Sequence, residues 1–133
     1  MFFFQRLLVS IAVFFVFSSV FVHASPSSKL GSVDFPTSGS PEAQKFFLRG
    51  VAALHSFWYD EALKAFQEST KVDPNFVMGY WGEAMTHNKP LWEKQDAEAA
   101  KEALTKIKDI SKITVRELSY LEAVMHLYGE SDK

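Results

Sequence analysis

At 133 residues without a cysteine, the chain has room for one ordinary domain or a piece of a larger one, and disulfides, thiolate metal sites and thiol nucleophiles are excluded. Sixteen acidic residues against fourteen basic ones give a formal charge of −2, without the basic excess of nucleic-acid-binding modules. Seven of the thirteen phenylalanines lie in the first 21 residues, so the composition mixes two different segments.

The first segment is an address. Leu7 to Val22 carry no charge and only three serines among apolar residues, Arg6 precedes them, and Val22-His23-Ala24 offers a small-residue cleavage site. This is the pattern of a signal peptide over residues 1–24, cut after Ala24. The alternative is an uncleaved anchor, although a spanning helix needs about 20 apolar residues and Arg6 interrupts the longer count. Either reading puts the rest of the chain outside the cytoplasm, secreted or periplasmic. Removing the segment takes the formal charge to −3, because Arg6 leaves with it. In residues 25–40, ten of sixteen are Ser, Pro or Gly, which predicts a flexible linker, with Val33 and Phe35 able to dock on the first helix.

Helical signals come next. Ser40-Pro41-Glu42 combines a cap, a proline suited to the first helical position and an acid at the positive end of the dipole. Phe46, Phe47, Gly50, Val51 and Leu54 then recur at helical spacing, to an end near His55–Phe57. A second helix runs from about Asp60 through Ala62, Leu63 and Phe66 to Asp73-Pro74. A third carries Phe76, Val77, Tyr80, Trp81, Ala84 and Met85 and ends near Asn88-Lys89-Pro90. A fourth is expected over about Lys94–Ile110, with Ala97, Ala100, Leu104 and Ile107 on one stripe. The fifth opens on Thr114-Val115-Arg116-Glu117, a capping-box pattern, and stops at Gly129. No segment alternates as a strand would. The fold class is all-α, with about five helices.

The helices repeat. Gly50 and Ala84, Phe46 and Tyr80, and Phe47 and Trp81 are each 34 positions apart, the length of a tetratricopeptide repeat. Phe46, Gly50, Ala62, Phe66 and Pro74 fill the repeat's aromatic, small, Ala, aromatic and closing-proline places, and the chain resembles that family. Residues Val33 to Gly129 resemble the opening repeats of large exported, poorly characterised members. The resemblance implies antiparallel helix pairs stacked as a short solenoid over residues 41–129: one repeat at about 43–76, a second at about 77–113, a partial third at 114–129, and a tail at 130–133. Departures are Ala53 and His87 where a tyrosine is expected, and Arg49 and Glu83 where a leucine is expected. Since Arg49 and Glu83 are also 34 apart, an Arg49–Glu83 contact is predicted, the alternative being that both point away to solvent. From Ala84 to the next small residue, Ala123, the interval is 39, a surplus that fits Asn88–Gln95. The fifth helix then lacks a partner, so Leu118, Leu121 and Val124 should face nothing within the chain. That invites self-association or continuation of the solenoid.

Arrays of this family bind protein or peptide segments on a concave face lined by the first helix of each pair. On this phase Phe47, Val51, Leu54 and His55, with Trp81, Met85 and Asn88, line the groove. Phe46, Gly50, Ala62, Phe66, Pro74, Tyr80 and Ala84 pack the repeats. The function expected is an exported interaction module or scaffold, with membrane contact only through an uncleaved signal segment. Two alternatives stand beside it: a periplasmic metal-handling protein using His55, His87, His126, Met78 and Met85, and a purely structural cap of a larger solenoid. No pair of these histidines has the spacing that places two on one helix face, so no metal ligand is assigned. Trp58, Tyr59 and Trp92 are expected to seal inter-helix turns, with a sugar-stacking role as the alternative. No nucleophile elbow, zinc-protease motif, phosphate loop or dinucleotide fingerprint occurs, and Glu83 and Glu122 have no hydrolase spacing, so neither enzyme activity nor a cofactor is expected.

Overall fold

The computed structural model describes residues 30–129. The signal segment with Ala24, the first part of the linker and the tail at 130–133 lie outside the described residues. Helix α1 spans Pro41–His55, capped by the Ser40 hydroxyl, which accepts the Ala43 amide at 3.3 Å. Helix α2 spans Tyr59–Val72 and α3 Val77–Met85. Helix α4 spans Ala97–Thr105, with the Asp96 carboxylate accepting the Ala99 amide, and α5 spans Val115–Tyr128 behind the expected Thr114–Glu117 capping box. The described chain is all-α apart from one feature between α3 and α4. There β1 (Asn88–Lys89) and β2 (Lys94–Gln95) form an antiparallel ladder around a 3-10 turn at Pro90–Trp92.

The connection between α1 and α2 is three residues long, and Ser40 N at the start of α1 donates to Asp73 Oδ2 just past the end of α2 at 3.0 Å. The two helices therefore run antiparallel. Helix α3 packs on α1, α2, α4 and α5, which makes it the central element. Phe66 of α2 is the keystone of the core and has no exposed surface. Its ring fills notches left by two glycines on other helices: a Cβ at Gly50 of α1 would lie 2.7 Å from the ring, and one at Gly82 of α3 would lie 2.3 Å away. At the far end, the Tyr128 hydroxyl of α5 donates to the Ala84 carbonyl of α3 at 2.8 Å. Burial, reinforced by the negative charge of Asp96, pushes the Tyr128 pKa up to about 12.

Several local expectations change. The fourth helix starts later than Lys94 because Lys94 and Gln95 are drawn into the ladder and the Asp96 cap starts the helix at Ala97, and it ends at Thr105, short of Ile110. Phe47, rather than its neighbour Phe46, is the fully buried ring of α1, lying 5.8 Å from the Phe66 ring, while Phe46 is only half buried. The Arg49–Glu83 contact does not form. Arg49 reaches Glu61 of α2 at 3.2 Å on an exposed face, whereas Glu83 turns inward to Lys106 at 3.0 Å and Gln67 at 3.3 Å. Leu121 and Val124 are buried by the packing of α5 on α3 and α4, and Leu118 is half buried. The large apolar residues that α5 leaves exposed are Val115, Tyr120, Met125 and Leu127.

Candidate functional site

The sequence expects residues 25–40 to form a flexible linker. Residues 33–40 instead run as a strip without helix or strand, bent at Ser38 and Gly39, that touches α1, α3 and α5, and nearly every residue of that strip has a partner. Phe35 is its anchor. Its ring lies 5.3 Å from Phe47 of α1, 6.3 Å from Trp81 of α3 and 5.2 Å from Tyr120 of α5. Trp81 and Tyr120 meet edge to face at 5.5 Å, so the three helices supply one aromatic seat. Such tilted and edge-on pairs gain from ring quadrupoles beyond the area that they bury. The Arg116 guanidinium covers the Phe35 ring at 5.0 Å from its centre, a cation over an aromatic face.

The strip's backbone is read as closely as its side chain. Gln44 Nε2 donates to the Phe35 carbonyl at 2.7 Å, and its Oε1 accepts from the Thr37 hydroxyl. The Arg116 guanidinium donates to the Pro36 carbonyl. Glu117 Oε1 accepts both the Ser38 amide at 2.7 Å and the Ser38 hydroxyl at 3.0 Å. Gly39 lets the strip close down, since a Cβ there would lie 2.6 Å from the Phe76 ring.

Glu117 links these contacts to the helix that carries them. Its Oε2 accepts the Thr114 amide at 2.7 Å as part of the capping box, while Oε1 holds the strip. The side chain is fully buried. Burial alone raises its pKa, but the Ser38 and Thr114 amides and hydroxyls together outweigh it and hold the carboxyl below the ordinary glutamate value. A carboxyl depressed in the folded state contributes stability above its unfolded pKa and loses it as pH falls through the folded value. We therefore expect the denaturation midpoint of the native chain to drop below about pH 4. Glu117→Gln should flatten the acid-induced difference between the two chains, and should cost about 1–3 kcal/mol at neutral pH because it weakens charge-assisted hydrogen bonds. Denaturant titrations of both chains across that range check this.

Of the seven groove residues expected from the sequence, Phe47 and Trp81 come together beneath Phe35. Val51 is buried in the core instead, with Leu54 half buried against it. Met85 is half buried, His55 is exposed at the end of α1, and Asn88 belongs to the ladder. These five are outside the set that holds the strip. Gln44, Arg116, Glu117 and Tyr120 were not among the expected site residues, and Phe35 was expected only to dock on the first helix. One signal was available in the sequence: Tyr120 follows Trp81 by 39 positions, the interval that separates Ala84 from Ala123. Among the described residues no group of three His, Asp or Glu is placed to hold a metal ion, and no helix is long and apolar enough to cross a membrane. No family model, no curated protein and no solved structure matches the chain.

Proposed function

We propose that the chain is an exported, non-enzymatic helical-repeat module of tetratricopeptide type, whose groove binds an extended protein segment and holds the chain's own residues 33–40 in that place. One observation carries this reading. Phe47, Trp81 and Tyr120 stand 34 and then 39 positions apart, one on each of α1, α3 and α5, and all three rings converge on Phe35. Equivalent places in three successive first helices thus act as one binding surface, as stacked repeats do. The strip is bound in the way a partner would be: a side chain in an apolar seat for specificity, and carbonyls and amides held by fixed polar groups for register. Gln44, Arg116 and Glu117 are those groups.

A tethered segment competes for its site at an effective concentration of about millimolar. A free ligand of the same chemistry therefore gains access only when the tethered copy is weakened. The test is an anisotropy titration of a labelled peptide of residues 31–40 against the native chain and a Phe35→Ala variant. The variant should bind the peptide at least about tenfold more tightly, equivalent to about 1.4 kcal/mol of relieved competition. Absence of binding to a Phe35→Ala chain whose helix content is unchanged defeats the proposal.

A further inference from the structure

A second surface, at the turn end of α1, is independent of the groove. The α1–α2 turn and the insertion between α3 and α4 meet there and enclose an open cleft of ≈ 560 Å³, lined by Phe57, Trp58, Tyr59, Trp92, Asp60 and Lys64 together with Glu61, Lys89 and Lys94. This is within the size range of small-ligand sites. Trp92 is set edge-on to Tyr59 at 5.8 Å and to Phe57 at 6.2 Å. Packing does not explain the arrangement, because Phe57, Trp58 and Trp92 remain 51, 51 and 52 % exposed. Both loops also carry a non-glycine residue in the left-handed region, Phe57 at φ 61° and Glu93 at φ 50°. Such backbone is unfavourable for a phenylalanine and persists only where the surroundings enforce it.

The charges on the rim are as unusual as the rings. Lys89 and Lys94 are direct partners across the two-residue ladder. Like charges in that position repel, and among the described residues neither lysine is in an ion pair. Lys89 rests over the Tyr59 ring, 5.4 Å from its centre. The pair therefore lines the cleft as two cations without an ion-pair partner among the described residues, beside exposed indole rings. Asp60, which also lines the cleft, offers hydrogen-bond acceptors and would repel a continuous anionic surface such as a lipid headgroup layer.

We infer that this cleft is a binding site for an acidic sugar, a pyranose whose apolar face stacks on Trp92 and Trp58 while its carboxylate lies between Lys89 and Lys94. The remaining hydroxyls donate to Asp60. A ring with one apolar face, one carboxylate and several hydroxyl donors matches each wall of the cleft, whereas a neutral sugar leaves the lysine pair uncompensated and a flat aromatic acid leaves Asp60 without donors. Calorimetric titration of the full chain tests this with a galacturonate trisaccharide, the matching neutral galactose trisaccharide, and benzoate. The uronate should bind saturably, at least about tenfold more tightly than either comparison ligand. Trp92→Ala should abolish binding, and the double change Lys89→Ala with Lys94→Ala should weaken it about tenfold or more. Equal affinity for the neutral sugar, preference for benzoate, or a uronate affinity unaltered by the lysine changes overturns the assignment.

Discussion

Replacing Phe66 with alanine is expected to cost about 3–5 kcal/mol, the range for deleting a fully buried aromatic side chain. A domain of this size has only about 5–15 kcal/mol of net stability, so the variant should be marginally folded or unfolded at physiological temperature. The reason is specific to this site. Gly50 and Gly82 are both notched around the ring. Neither has a side chain that could move into the vacated space, so the cavity stays open instead of collapsing. Ala62 and Ala53, also fully buried, are too small to compensate. The converse change acts through the same contact. Gly82→Val places branched carbon atoms where a single Cβ would already stand 2.3 Å from the ring, and overpacking of this kind typically costs about 1–3 kcal/mol or more. Thermal and denaturant unfolding of both variants measure these effects, and a Phe66→Ala chain within about 1 kcal/mol of the native one would remove Phe66 from its central position.

The second large effect is expected at Phe35, and it should be local. Phe35→Ala removes the ring shared by Phe47, Trp81 and Tyr120, together with the guanidinium contact from Arg116. Loss of a partly buried aromatic with this many partners should cost about 2–3 kcal/mol. The strip joins α1 through Ser40 but contributes no helix, so the loss should appear as opening of residues 33–39 with the five helices retained. Trp81, seated against Phe35, should respond with a shifted emission. Far-ultraviolet dichroism should hardly change.

The contrast between these two sites explains what could be read from the sequence. Helix starts at Ser40-Pro41 and Thr114–Glu117 were legible because a cap is a local device, made by residues three positions apart. The all-α class was legible from the spacing of apolar residues. The choice between Phe46 and Phe47 as the buried ring was not. The two are adjacent, both are aromatic, and only the position of Phe66 and Phe76 in space decides which one turns inward. The ladder at Asn88–Gln95 was invisible because two residues per strand are too few to alternate. The strip is not legible in the sequence for a more general reason. Its serine, proline and glycine content means that it cannot bury itself, and composition reports only that. Its burial is supplied by side chains far along the chain: Glu117 lies 79 positions from Ser38, and Arg116 lies 80 from Pro36. The capping box assigns one carboxylate oxygen of Glu117 and leaves the other open.

The claim on which the rest depends is that residues 33–39 occupy the groove as a held ligand, and amide hydrogen exchange of Ser38 tests it most directly. In the native chain this amide donates to the buried Glu117 carboxylate and should exchange at least about tenfold more slowly than an unstructured amide, the protection given by an opening cost of about 1.4 kcal/mol. In Phe35→Ala that protection should disappear while the amides of α1, α3 and α5 keep theirs. A Ser38 amide that exchanges at the unstructured rate in the native chain, beside fully protected helices, would contradict the account.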